Sequence, residues 1–294
     1  MVNLLFLSLM ASASIDISKE NDKSTYRSSW TIKDGINAPE SVYFDLESNS
    51  LFISNVNGKP DEKDGNGFIV RAEKSGKIVD AKWIAGLNAP KGMRSFKGVL
   101  WVTDIDQVVK INIAEQRIEA TIPINGSKFL NDLAIDNQGR VYVSDTLASR
   151  IYRIEGDQVS VFIEGKNLES PNGLLVLGNQ LVVAAWGFTE DWSGKNLGNL
   201  YSIGLTSKRI NKITQRPLGN LDGLEVDNAG NYLVSDWVAG KIFRVKPNGK
   251  FDVLLHGFKG SADLAYVSST KTLIVPRMNE NLVTGYSLSR YPGY

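Results

Sequence analysis

Apolar and polar residues alternate in short runs along most of the chain, and the runs fall into sets that repeat. The third set is the clearest. Leu133-Ala134-Ile135 leads to a turn at Asp136-Asn137-Gln138-Gly139, and Val141 to Ser144 ends at Asp145. Ile151 to Ile154, a turn at Glu155-Gly156-Asp157 and Val159 to Ile163 complete it. Period-two alternation bounded by Gly, Asp and Asn is the signal of strands joined by hairpins. The fifth set repeats it from Leu224 to Leu255, with turns at Asn228-Ala229-Gly230 and Pro247-Asn248-Gly249. Each set opens on a pair: Pro39-Glu40, Lys91-Gly92, Asn131-Asp132, Asn172-Gly173, Asp222-Gly223 and Ala262-Asp263. Counted at the second residue of each pair, the steps are 52, 40, 41, 50 and 40 residues. A period of about 40–45 residues carrying short strands is that of propeller blades. The expected fold is all-β, a six-bladed β-propeller of four-stranded antiparallel blades.

Only three alternating runs follow Asp263, the last near Leu282 to Leu288, and the missing fourth is expected at the other end of the chain. Trp30 to Pro39 parallels Trp83 to Pro90, the stretch that closes the first repeat. Tyr26 to Ile32 is therefore expected to complete the last blade, which removes the open sheet edges that invite aggregation. Length alone would suggest about two domains. A blade cannot bury its own faces without neighbours, so residues 24–294 read as one propeller domain, with 1–23 outside it.

Strand direction determines which loops share a face. The opening pairs and the ends of the second strands (Asn55, Asp104, Asp145, Trp186, Asp236, Arg277) are expected on one face, and the Gly/Asn/Lys turns on the other. Two long loops, Asn55 to Gly67 and Trp186 to Gly198, account for the longer steps and fall on the first face. Long loops on a rigid scaffold tend to be functional. Asp61, Asp64 and Asn66 echo a calcium loop, but their spacing does not fit an EF-hand, and they read as a solvated acidic loop.

Composition then narrows the chemistry. Cysteine is absent, and the single histidine, His256, reads as an outer-strand residue, so thiol nucleophiles, multi-His metal sites and a Ser-His triad are set aside. A net charge of +1 makes no case for nucleic acid. Met1 to Ala13 carries an apolar run, Leu4 to Met10, before Ala11-Ser12-Ala13. It resembles a secretory leader without the usual basic start and predicts a periplasmic or secreted protein, or a cytoplasmic one if the run is not a leader. No other stretch approaches the length of a membrane span. Oligomeric state is not readable from the chain.

The opening pairs also carry candidate chemistry. Glu40, Asn131, Asn172 and Asp222 come from four blades and project toward one axis. Two carboxylates and two amide oxygens suit a hard divalent cation: Ca²⁺ first, then Mg²⁺ or Mn²⁺, before Zn²⁺. Glu40 stands one position later than the others, an offset its longer side chain can absorb. Alternatively, these Asn and Asp residues merely serve the turns into the strands.

Ala38-Pro39-Glu40, Phe129-Leu130-Asn131-Asp132, Ser170-Pro171-Asn172-Gly173 and Leu221-Asp222-Gly223 together resemble the senescence marker protein, gluconolactonase and luciferin-regenerating enzyme family. Those are six-bladed propellers with a metal in the central channel. The resemblance implies metal ligation by Glu40, Asn172 and Asp222, with Asn131 contributing directly or through water beside the substrate. It also implies a lactone or ester hydrolase of small molecules. Asp222 then serves as the base acting on water, and Asp132 is the reserve candidate. The chain departs from the family at Phe129, where gluconolactonases usually carry an Arg that holds a sugar acid. Lys91, Trp186, Trp237 and Arg277 are candidates to line a less polar substrate pocket instead. A non-catalytic, metal-stapled propeller that binds a small molecule or protein is the alternative. A condensing propeller of the strictosidine synthase kind is the weakest reading, for want of a late channel Glu.

Overall fold

Each inner strand has apolar residues on both faces, so it needs a blade on either side. The computed structural model describes residues 26–289 and arranges them as six four-stranded antiparallel sheets around one axis. The inner strands are Pro39–Asp45, Pro90–Phe96, Leu130–Ile135, Pro171–Leu177, Leu221–Val226 and Ala265–Val267, opening blades 1 to 6 in that order. Blade 6 is completed by Ser28–Ile32, paired antiparallel with Leu282–Ser287. No α-helix occurs among the described residues, and none of their helical turns is long and apolar enough to cross a membrane. The leader reading falls on Met1 to Ala13, outside the described residues.

Alternation divides the core between neighbours. Leu51 and Ile53 of blade 1 pack with Ala265, Ile274 and Val283 of blade 6. Phe52, between them, packs with Met93, Leu100 and Val102 of blade 2. The same division recurs around the ring, as at Leu233 and Val234, which face blades 6 and 4 respectively. Period two along a strand thus becomes adhesion to two different neighbours.

The opening of each inner strand is bulged. Pro39, Pro90, Leu130, Pro171 and Leu221 pair with Asn55, Asp104, Asp145, Ala185 and Asp236, and one extra residue follows before the ladder resumes. Bulges of this kind leave a residue unpaired and re-aim its side chain. The register corrects one expectation. Glu40 follows Pro39 as Lys91 follows Pro90 and Asn131 follows Leu130, so it stands level with the other opening residues rather than one position later.

Side chains at the end of the second strand take up the backbone groups that the bulge releases. Ser54, Ser144 and Ser235 accept the N–H groups of Ser41, Asp132 and Gly223 at 2.9, 2.9 and 2.7 Å. The next residue clips the loop entering the inner strand. Asp104 accepts from Asn88 and Ala89, Asp145 from Lys128 and Phe129, and Asn55 from Asn37. A hydroxyl followed by Asp or Asn is thus the device that holds the opening pairs. Blades 4 and 6 lack it, with Ala184-Ala185 and Pro276-Arg277 at those positions; blade 4 keeps only the bond from the Trp186 N–H to the Ser170 carbonyl, whose equivalent blades 1, 3 and 5 make as well.

Below the opening residues lies a second ring of positions: Ser41, Gly92, Asp132, Gly173, Gly223 and Asp263. Neighbouring backbones crowd here. A Cβ on Gly173 would stand 2.0 Å from the Asp222 carbonyl oxygen, and one on Gly92 2.6 Å from the Asp132 Cα. The carboxylates interlock adjacent blades. Asp132 accepts the N–H of Leu174 in blade 4 at 2.7 Å, and Ser41 donates to Asp263 of blade 6 at 2.6 Å.

Deeper still, the buried Arg94 guanidinium lies 3.7 Å from Asp263 and 3.5 Å from Glu225, over the ring of Tyr43. One cation thus serves three carboxyls, counting Asp132. Burial pushes the Glu225 carboxyl up to about 7 against the opposing pull of Arg94. Burial and then Asp263 raise Asp132, again against Arg94.

Two outcomes are expected. Gly173→Ala forces a Cβ into the Asp222 carbonyl and should cost about 1–3 kcal/mol or more in a denaturant melt; an unchanged midpoint would contradict the crowding. Glu225 holds its proton more tightly folded than unfolded, so its contribution is complete below about pH 4.5 and is lost as pH rises through about 7. Glu225→Gln should therefore flatten the fall in unfolding free energy between pH 5 and pH 8, by an amount on the order of 2 kcal/mol in denaturant melts. Parallel wild-type and variant profiles would count against it.

Candidate functional site

The bulge aims Glu40, Lys91, Asn131, Asn172 and Asp222 from blades 1 to 5 into one cavity of about 360 Å³ on the axis. All five are buried. Blade 6 contributes only Ala262 at the equivalent position. The sequence-predicted candidates Trp186 and Trp237 join the lining, together with Phe129, Trp192, Pro60, Val238 and Met278.

The polar floor is unusual in what it leaves unbonded. Glu40 Oε2, Asn131 Oδ1, both polar atoms of the Asn172 amide, and Asp222 Oδ1 are buried without a hydrogen-bond partner. Buried polar groups normally find partners, and each orphan carries a desolvation cost of about 1–3 kcal/mol. Five such atoms from four blades facing one cavity mark a place for a ligand. The set mixes two carboxylates with two amides, and among the described residues no three His, Cys, Asp or Glu side chains gather as metal ligands. Burial first, then the Asp263 and Asp132 charges, raise Asp222 well above the usual carboxylate range. Glu40 is raised by burial and by Asp222, with Lys91 opposing.

Lys91 is the one cation among the lining side chains. Its ammonium donates to the carbonyls of Ala89 at 2.9 Å and Pro60 at 3.0 Å, and lies 4.5 Å from the centre of the Phe129 ring. Burial pulls it down to about 8, against the attraction of Glu40 and Asp104. Through Pro60 it pins the first long loop over the channel, and Lys63 ties that loop to Asp106 at 2.6 Å. Within the loop, Asp64 is exposed and accepts from the Asn66 side chain.

The second long loop builds the aromatic wall. Trp192 meets Phe129 edge-on at 4.8 Å and Trp186 at 5.0 Å, and Trp186 faces Trp237 at 6.0 Å. Asn220 holds the loop by donating to the carbonyls of Trp186 and Asn196. Trp192 was not among the sequence candidates; its loop has no periodicity, and its backbone is left-handed at φ 59°.

Two candidates stand elsewhere. Arg277 does not line the cavity: a turn at Met278–Glu280 brings Glu280 onto its guanidinium at 2.5 and 2.7 Å, and Met278 takes the place at the rim. Asp132 lies in the ring below, 1% exposed, with its two oxygens accepting from Leu133 and Leu174. Arg94, which sequence reasoning missed, sits lower again. His256 is exposed at the end of an outer strand.

No family model and no curated protein matches the chain. Solved structures do. A catalytically inactive His-to-Ala variant of virginiamycin B lyase from Staphylococcus aureus, crystallised with quinupristin, is 15% identical with a TM-score of 0.62, covering 90% of this chain and 99% of that one. A gluconolactonase from Xanthomonas campestris is 13% identical with a TM-score of 0.62, covering 89% and 86%. A chain of a nidogen–laminin complex is 15% identical with a TM-score of 0.58, covering 74% and 88%. At these identities the likeness is one of fold: this chain is a six-bladed β-propeller whose architecture is similar to that of a virginiamycin B lyase, a gluconolactonase and a chain of a nidogen–laminin complex alike.

Proposed function

We propose that the protein is a divalent-cation-dependent hydrolase acting on a small lactone or related ester. The observation that carries this reading is the set of orphaned buried donor atoms on Glu40, Asn131, Asn172 and Asp222. Setting aside the Asn172 amide nitrogen, the orphans are one oxygen from each of the four residues, formally −2 in all, and fit a hard cation, with Ca²⁺ the best match and Mg²⁺, Mn²⁺ or Zn²⁺ following. Glu40, Asn172 and Asp222 would hold it, and Asn131 would act directly or through water. When bound, such a cation supplies Lewis-acid polarisation of an ester carbonyl.

The chain's own groups supply the rest. Asp222 accepts a proton from the attacking water as the water oxygen bonds to the carbonyl carbon, and returns it to the alkoxide when the ring or ester C–O bond breaks. Asn131 orients the carbonyl. The aromatic wall of buried Trp186 and Phe129 and half-buried Trp192 excludes bulk water from the reacting centre. Asp132, with both oxygens engaged, keeps Asp222 in an acidic surrounding rather than serving as the base itself. A lyase route dependent on histidine has no support, because His256 is outside the cavity.

A second reading is a cation-stapled propeller that binds without turnover. Phe129, standing where a sugar-binding Arg is expected, favours it, as does the propeller match within a nidogen–laminin complex.

Metal analysis of purified protein should find about one divalent ion per chain, and chelation should lower the melting temperature by several degrees. Asn172→Ala should abolish that shift. No bound metal and no metal-dependent stabilisation would sink both readings. With metal retained, Asp222→Asn should lower lactone turnover by about 10²–10⁴-fold. Full activity in that variant would remove Asp222 as the base, while binding without turnover across a lactone and ester panel would decide for the second reading.

A further inference from the structure

Resting on that reading for its carbonyl but not for its apolar part, we infer that the ligand is an uncharged aryl- or alkyl-bearing lactone or ester, not a polyol. Its carbonyl-side oxygen is received by the indole N–H of Trp186. The cavity is sharply divided. Its floor holds the four oxygen donors, and its wall is Phe129, Trp192, Trp237, Val238 and Met278. Among the buried atoms of the lining residues, Trp186 Nε1 and the Asn172 amide nitrogen are the unpartnered donors; the amide carries an acceptor oxygen beside it, whereas the indole can only donate, and Trp186 is 5% exposed. A tryptophan buried this far normally finds an acceptor for its N–H. Two edge-on or tilted ring contacts, to Trp192 and Trp237, fix the indole plane, so the donor is held in place before any ligand arrives.

Charge argues against an anionic ligand. Lys91, the sole lining cation, is already committed to the Ala89 and Pro60 carbonyls. The remaining charged groups of the lining, Glu40 and Asp222, are carboxyls whose charge a bound divalent cation would balance, leaving no free positive side chain for an anion. A polyhydroxylated lactone would strip water from several hydroxyls and offer them to Phe129, Trp192 and Met278, which return no hydrogen bond of comparable strength. One oxygen-bearing end and one apolar body match the two halves of the lining. The volume lies near the lower end of the usual range for small-molecule sites, about 300–1,000 Å³, which fits a single substituted ring.

The test uses ligands that cannot be hydrolysed. Binding of a phenyl-substituted δ-lactam, gluconolactam and 4-phenyltetrahydropyran (the phenyl body without a carbonyl) is measured by calorimetry, with tryptophan emission as a second readout. Calcium-loaded and chelator-stripped protein are compared. On wild-type protein the phenyl lactam should bind at least about ten-fold tighter than gluconolactam, and about five-fold or more tighter than the ether. Trp186→Phe should close the gap between lactam and ether, and Trp192→Ala should erase the preference for the phenyl body. Gluconolactam binding as well as the phenyl lactam would overturn the ligand class, and a lactam–ether gap that survives Trp186→Phe would overturn the role of its N–H. The wild-type comparisons stand even if a variant fails to fold. Phenyl lactam binding together with no lactone turnover would support this inference while sinking the hydrolase reading.

Discussion

Six strands can converge on one axis only if some of them give up their side chains, and the ring in which Gly92, Gly173 and Gly223 share the level of Ser41, Asp132 and Asp263 meets that constraint. A Cβ on any of the three glycines would strike the backbone of the next blade. The space they leave lets Asp132 and Asp263 reach across and bond the following blade. The bulge directly above this ring then turns the opening residues inward, where they face a cavity instead of a ladder. Site and scaffold therefore depend on the same crowding: loosening the ring would misplace the floor of the cavity as well as the blades.

The hydroxyl-and-Asp/Asn device at the end of the second strand in four of the six blades explains why so many buried Asp residues carry no chemistry. Asp104, Asp145 and Asp236 are spent on backbone N–H groups, whereas Asp222 keeps an oxygen free. The difference lies in bonding rather than burial. Blade 4, which lacks the device, is also the blade that sends Trp186 into the cavity and carries the loop bearing Trp192. Its irregularity is what makes the aromatic wall.

Much of this was legible in the chain because period two survives translation into a closed ring. Strand order, closure by the N-terminal run, the shared face and the inward direction of Glu40, Asn131, Asn172 and Asp222 all follow from alternation and from the spacing of the opening pairs. What alternation hides is equally specific. Arg94 occupies a polar position on an inner strand, which reads as solvent-facing until the ring closes and that side becomes channel. The true level of Glu40 depended on where the bulge begins, which the proline before it marks at Pro39, Pro90 and Pro171 but which the opening pairs, counted as pairs, obscure. Arg277 ends a strand on the right face, yet a turn of three residues supplied Glu280 and turned it aside. Trp192 lies in a stretch whose shape comes from Asn220 and a left-handed backbone, neither visible as a period.

Closure by Ser28–Ile32 has a consequence for how the molecule comes into being. Its partner, Leu282–Ser287, is the last strand of the chain, so joining them closes nearly the whole described sequence into one loop, at an entropic cost of about 5 kcal/mol by simple chain statistics. Until translation reaches that point, Ser28–Ile32 has no strand to pair with and the sixth sheet cannot be completed. The ring can close only after that strand is made, and the first strand is the latch that closes it.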